Sequence, residues 1–412
     1  MYSGTSVSSV THDHPPLTYF LQAQFFKIFG DSIYVERIYD FVFALFHIYL
    51  IKRLWEYFTL QKDNSYWLPI LFWVIIPLCS WTFKNNLQEV TMGAFDLAAV
   101  IFLIAGCRQH KIHYLILGGV LTLAASMCKG IQGLFPIMIP LFVWMIYKEY
   151  SFRKYFLQFL LIIFIPVVTY LVFYLTPEIN TSFTLYFKRR LVGTFQHLQD
   201  TKTNHFYLLS KLLLELLPPI ILTGLVWLQS RKSVLYPKID WKAVLLLLLI
   251  GISASFPLMI TLEQRAFYLT TSLPYYVLAL ALIAKPFIET FMAHMSIRKI
   301  GLIRNVIVAV ILITVVAVIL NAKNPKRDRL LINDLKVIRN IIPEGTMIGI
   351  PAELNNAWAY RAYFMRYARV SFEPNVKHQF YITEKANTEP GDTCFKELNL
   401  SLEKFRVFEC KN

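Results

Sequence analysis

Residues 155–175 read YFLQFLLIIFIPVVTYLVFYL, twenty-one positions without a single charged side chain. At 1.5 Å of rise per residue, a helix of about 20 residues crosses the roughly 30 Å hydrocarbon core of a bilayer. A core helix of a soluble protein rarely runs that long without a polar face. Val244–Ile260 and Leu302–Leu320 repeat the pattern. Of the 412 residues, 56% are hydrophobic and 16% aromatic, and the mean hydropathy is +0.49. That balance excludes an ordinary soluble domain. The chain reads as an all-α polytopic membrane protein.

Ten apolar blocks are expected as spans, at about 36–58, 66–83, 89–106, 112–128, 131–147, 155–175, 206–228, 242–260, 267–284 and 302–320. The loops after the odd-numbered blocks are short and basic, with Lys52, Arg53, Arg108, Lys111, Lys148, Arg153, Lys154, Arg231, Lys232, Lys285 and Arg298 among them. The positive-inside rule makes these loops cytoplasmic and puts both termini on the extracytoplasmic side. The formal charge of +15 is therefore read as orienting charge, and nucleic acid is not an expected partner. The outer loops still hold Lys84, Lys129, the run Lys188-Arg189-Arg190, and Arg265. Those cations break the rule; an anionic ligand at the outer face would explain them, as would headgroup snorkelling for any one of them.

Past Leu320 the chain turns polar, and three regions are expected: residues 1–35 as part of an outer loop, 36–320 as the membrane domain, and 321–412 as a small extracytoplasmic α/β domain. In the last, a helix over Arg327–Ile341 stops at Pro343-Glu344-Gly345. A strand over Thr346–Ile350, a helix around Glu353–Arg366, and strands at Val370–Phe372, Gln379–Thr383 and Phe405–Phe408 follow. Cys394 and Cys410 lie in this tail and can pair in an oxidising compartment, whereas Cys79, Cys107 and Cys128 read as packing residues.

Several groups can carry chemistry. His12-Asp13-His14-Pro15-Pro16-Leu17 precedes the first span, and its two prolines hold Asp13 and His14 on an extended path. His14 can donate to a phosphate; Asp13, His12 and His197 allow a divalent metal as an open alternative to no cofactor. Glu89 and Asp96 are seven apart and share one helix face. Asp96 lies deeper in its span, so it is either functional or hydrogen-bonded between helices. Lys129-Gly130 closes one outer hairpin, and Glu263-Gln264-Arg265 leads into Tyr268 and Pro274 near another. Tyr186 to Arg190 reads as an interfacial amphipathic helix. No P-loop, dinucleotide fingerprint or nucleophile elbow occurs.

Taken together, this set resembles the GT-C glycosyltransferases that use lipid-linked sugars, in particular the protein O-mannosyltransferases and the lipid A aminoarabinose transferases. The resemblance rests on Asp13-His14-Pro15-Pro16-Leu17, Thr18-Tyr19-Phe20, Phe29-Gly30-Asp31, Glu36-Arg37, Lys129-Gly130 and Arg265…Tyr268…Pro274, over residues 12–290. It implies a polyprenyl-phosphate-linked sugar donor, a lipid, glycan or protein acceptor, and one inverting displacement at the periplasmic face of a bacterial inner membrane. Asp13, Glu89 and Asp96 are the candidate catalytic carboxylates, Asp13 matching the acidic residue beside the family's motif and not the family's base, Glu89 and Asp96 as carboxylates within a span. His14, Lys129, Lys188, Arg189, Arg190, Arg265 and Tyr268 become the substrate contacts. In that family a catalytic aspartate follows an earlier membrane helix, so a longer N-terminus is also expected. The competing readings are a transporter or flippase of an anionic lipid, and a glycan polymerase or ligase.

Overall fold

The computed structural model describes residues 14–59, 64–186, 206–230, 238–260, 264–293 and 328–410 except 33, 357, 375, 387–389 and 391–392, with scattered positions from 295 to 320. They form two compact units, one drawn from His12–Ser296 and one from Ile297–Asn412.

The first unit is helical. After α1 (Leu17–Phe29) and α2 (Val35–Phe58) comes a bent pair, α3 (Trp67–Val74) and α4 (Pro77–Lys84), which turn by 75°. Pro77 causes the turn: the residue before a proline avoids the helical region, and Ile76 is extended at φ −76°, ψ 118°. The freed Leu78 N–H donates to the Glu215 carboxylate at 2.9 Å. Next come α5 (Gln88–Gln109), α6 (Ile112–Lys129), a 3₁₀ segment (Ile131–Met138), α7 (Ile139–Tyr147), α8 (Phe152–Leu175) and α9 (Pro177–Tyr186). The unit closes with α10 (Tyr207–Ser230), α11 (Trp241–Ile260), a 3₁₀ turn (Ala266–Thr271) and α12 (Leu273–Ala293).

Among the described residues six helices are long and apolar enough to span, or seven if the bent pair counts as one. The ten expected blocks differ from these in three places. Val35–Phe58 has the length but carries Glu36, Arg37, Asp40, Lys52, Arg53 and Glu56. The block at 131–147 opens as a 3₁₀ segment, which leaves only a short α-helix. Leu302–Leu320 lies largely outside the described residues.

The α5 helix is the centre of this unit. It has no separate solvent-facing polar side, being buried along most of its length, and packs against α2, α6, α7 and both 3₁₀ segments. A helix without a polar face must be enclosed in this way. Small residues allow the close approach: a Cβ at Gly118 would meet the Leu103 side chain at 2.5 Å, and one at Gly106 would meet Leu115 at 2.8 Å. By contrast α8 shows Phe164, Val167, Leu171 and Leu175 on its exposed face, as lipid-facing helices do.

The second unit is a five-stranded mixed sheet of order β2-β1-β3-β5-β4. Its strands are β1 (Met347–Ile350), β2 (Ser371–Pro374), β3 (Phe380–Glu384), β4 (Phe395–Glu397) and β5 (Phe405–Cys410). β1 runs parallel to β2 and β3, while β5 is antiparallel to β3 and β4. Helix α13 (Arg329–Ile341) buries Leu331, Leu335 and Ile338, a spacing of four and three that makes one apolar stripe. Two short helices, α14 (Ala352–Asn356) and α15 (Trp358–Tyr363), and a π turn (Phe364–Ala368) replace the single helix expected there. Cys394 and Cys410 are disulfide-bonded, joining the end of β5 to the segment that opens β4.

One buried carboxylate holds helix and sheet of this unit together. Asp334, 2% exposed, accepts the Glu403 N–H at 2.8 Å, the Lys404 N–H at 2.7 Å and the Phe405 N–H at 3.3 Å. Asp334→Ala leaves those donors without an acceptor, which costs about 2–4 kcal/mol. Hydrogen exchange on the full chain is the check: the amides of residues 403–405 lose protection, while those of α5 keep theirs.

Candidate functional site

The α5 and α6 helices form an antiparallel hairpin joined only by His110 and Lys111. The first turn of α5 therefore lies beside the last turn of α6. Glu89 occupies the first and Lys129 the second, each at the helix end whose dipole favours its charge. The Lys129 ammonium donates to the Glu89 carboxylate, forming an ion pair across 40 residues of sequence. Their side chains are 7% and 1% exposed. Glu89 is thus a buried partner and not a solvated interfacial residue.

Aromatic and polar groups close around the ammonium. Lys129 Nζ lies 4.2 Å from the Tyr268 ring centroid and 5.0 Å from that of Phe267, within cation–π range. The Tyr186 hydroxyl donates to the Lys129 carbonyl at 3.3 Å. That hydroxyl fills the space a Cβ on Gly130 would need, and Gly130 stands at φ 99°, so only glycine fits here.

The turn carrying Tyr268 is itself anchored. Gln264 accepts from the Leu208 N–H at 3.0 Å and donates to the Met259 carbonyl at 2.8 Å. Thr82 and Thr270 share a hydrogen bond of 2.9 Å, and Trp81 stacks on Phe267 with centroids 6.0 Å apart. Arg265, just before the turn, is exposed and has no ion-pair partner among the described residues. Lys84 is also exposed, and its carbonyl is held by the Arg37 guanidinium.

The residues singled out in the sequence divide into three groups. Glu89, Lys129 and Tyr268 come together, with Arg265 three residues from Tyr268. Asp96 does not join them. It is completely buried, and neither carboxylate oxygen has a hydrogen-bond partner among the described residues, so an interhelical hydrogen bond is not what holds it. Its electrostatic neighbours are Tyr275 and Cys128. His14 is half-buried just ahead of α1. Asp13, Lys188, Arg189 and Arg190 lie outside the described residues, as do His12 and His197 of the possible metal group. Among the described residues no three His, Cys, Asp or Glu side chains converge as metal ligands.

Two contributors escaped sequence reading. Phe267 looked like an ordinary apolar residue, and nothing in its context marks a ring facing an ammonium. Glu215, which holds the start of α4, stands in an apolar run; a lone carboxylate within a span was the available signal.

Comparison with known proteins gives the class first. The fold matches ten chains of solved structures. The crystal structure of ArnT from Cupriavidus metallidurans bound to undecaprenyl phosphate matches with a TM-score of 0.62 at 13% identity, covering 96% of this chain and 88% of that chain. The apo structure of the same protein gives a TM-score of 0.49 at 15% identity, covering 82% and 62%. The chain has the GT-C fold of membrane glycosyltransferases, with a small C-terminal sheet domain. In sequence, residues 13–173 match the profile of the dolichyl-phosphate-mannose-protein mannosyltransferases. The resemblance drawn from the Pro15-Pro16 motif and Lys129-Gly130 is thereby borne out. No curated protein matches the chain in sequence.

Proposed function

We propose that this protein transfers a sugar from a polyprenyl-phosphate donor to a hydroxyl of a lipid, glycan or protein acceptor. The observation that carries the proposal is the Glu89–Lys129 pair, walled by Phe267 and Tyr268. Inverting transfer needs a carboxylate that takes a proton and a cation that holds a departing phosphate. The acceptor oxygen attacks the anomeric carbon while the bond from that carbon to the phosphate oxygen breaks. The acceptor proton passes to Glu89, and the phosphate leaves with the electron pair, facing Lys129. Arg265 draws the anionic headgroup toward the site, with His14 and the run Lys188-Arg189-Arg190 as further headgroup contacts. Asp13 is the second carboxylate available to orient the acceptor. Asp96, sealed in the core, is assigned no proton transfer with the acceptor.

The membrane placement belongs to the same proposal: a bacterial inner membrane with the site on the periplasmic face. The basic loops on the opposite side support it, as does the Cys394–Cys410 disulfide, which persists in an oxidising compartment. The ArnT structure contains undecaprenyl phosphate, which favours a carrier of that chemistry here. Adding undecaprenyl phosphate to the purified protein is expected to raise its thermal midpoint by several degrees, whereas farnesol, which lacks the phosphate, leaves it unchanged. Equal shifts from both would remove phosphate recognition from the proposal.

A further inference from the structure

The resting ion pair and the proposed ligand make conflicting demands on one ammonium. Lys129 is almost fully buried, and among the described residues Glu89 is the carboxylate paired with it. Phe267 and Tyr268 present ring faces, and Tyr186 contacts the backbone carbonyl of Lys129. A carrier phosphate placed against Lys129 beside an ionised Glu89 would give one buried cation at least two negative charges. Unlike charges at such short range and low dielectric attract by several kcal/mol, and like charges repel equally. Held against Lys129 together, the two anions repel each other, so each weakens the other's hold on the ammonium.

We infer that Glu89 and the carrier phosphate compete for Lys129, so that donor binding frees the carboxylate that then serves as base. The inference rests on the transferase reading proposed above. In the empty site Glu89 neutralises Lys129. The donor phosphate takes over the ammonium, and Glu89 is released as a free carboxylate beside the acceptor. After transfer Glu89 holds the acceptor proton and the carrier phosphate holds Lys129. When Glu89 passes that proton to water, its restored charge reclaims Lys129 and drives the carrier out. One residue pair thus links donor arrival, base activation and carrier release.

The geometry suits such an exchange. Glu89 lies in the first turn of one helix and Lys129 is the last residue of the other, so the contact to be exchanged joins two helix ends and not two helix middles. The Gly130 turn that follows Lys129 is pinned through Tyr186, so the backbone stays fixed while the side chain changes partner.

The test is the affinity of the full-length protein for undecaprenyl phosphate in detergent, alongside the transfer rate. Glu89→Gln removes the competitor, so binding should tighten about tenfold while transfer falls at least 100-fold. Lys129→Met should weaken binding about tenfold. A purely structural pair predicts instead that both variants bind more weakly, and equal or weaker binding by Glu89→Gln overturns the exchange. If that variant does not fold, Glu89→Asp keeps the charge but withdraws it by one methylene. Its binding should tighten about threefold, and unchanged or weaker binding overturns the proposal. Failure of wild type and all variants to bind the lipid would overturn the transferase reading itself, a result distinct from loss of the competition alone.

Discussion

Lys129→Met is expected to lower sugar transfer by about 100- to 1000-fold, the usual loss when a buried charge that stabilises a leaving group is removed. Methionine keeps the unbranched stem of the side chain and removes only the terminal ammonium that faces Phe267 and Tyr268, so the loss reports charge far more than volume. The substitution also strands Glu89, 1% exposed, without its partner. An unpaired buried carboxylate costs about 3–5 kcal/mol, and the thermal midpoint should fall accordingly. The double variant Glu89→Gln, Lys129→Met separates the two effects. It leaves no buried charge at this pair, so the midpoint should recover most of the loss while transfer stays at least about 100-fold down. Recovery of transfer along with stability would show that Lys129 acts only through folding.

The second large effect belongs to Gly133. A Cβ there would lie 2.5 Å from the Ala125 carbonyl carbon and 2.6 Å from the Ser126 nitrogen. Both are backbone atoms of α6, which cannot rotate aside as a side chain can. Gly133→Ala therefore has to push the 3₁₀ segment off α6, at a cost of about 3 kcal/mol. The displaced segment begins at Ile131, directly after the Lys129-Gly130 turn, so transfer should fall with stability. Gly224 supplies the contrast: no atom lies within 4 Å of a Cβ there. Gly224→Ala replaces glycine within a spanning helix and should be neutral or stabilising by up to about 1 kcal/mol. Thermal midpoints of the two variants in one detergent, measured together, check both statements.

Most spanning helices were legible because hydropathy over twenty residues is an additive property that no tertiary contact reverses. The tail was legible for a related reason. Its strands and helices alternate with clear stops, such as Pro343-Glu344-Gly345, and Gly345 does take φ 83°. β4, three residues long, carries too few positions for a period to emerge. The bend after Val74 was signalled by Pro77, yet an apolar run hides whether a proline kinks a helix or breaks it. The block at 131–147 looked continuous because composition does not register a change from 3₁₀ to α winding.

The site was legible by residue and not by arrangement. Glu89, Lys129 and Tyr268 each stood out as polar or cationic groups near an outer loop. Their convergence needed the hairpin: a short link between helices of 22 and 18 residues brings the first turn of one to the last turn of the other. That step follows from helix lengths alone and was within reach of the sequence. The approach of the 266–271 turn was not, since it depends on Gln264 bonding Leu208 and Met259 and on Thr82 and Trp81 of α4, contacts to three separate helices. Asp96 shows the reverse case. Its place on the face of Glu89 suggested a shared role, but two helical turns carry it into a sealed core.

The most direct measurement uses the full-length protein in liposomes, with a polyprenyl-phosphate donor radiolabelled in its sugar and an extract of the same cell envelope as acceptor. Label should leave the carrier for the acceptor, one free polyprenyl phosphate should appear for each sugar moved, and Lys129→Met should slow both by at least about 100-fold. Label that stays on its carrier while the lipid crosses between leaflets would contradict transfer and identify a flippase.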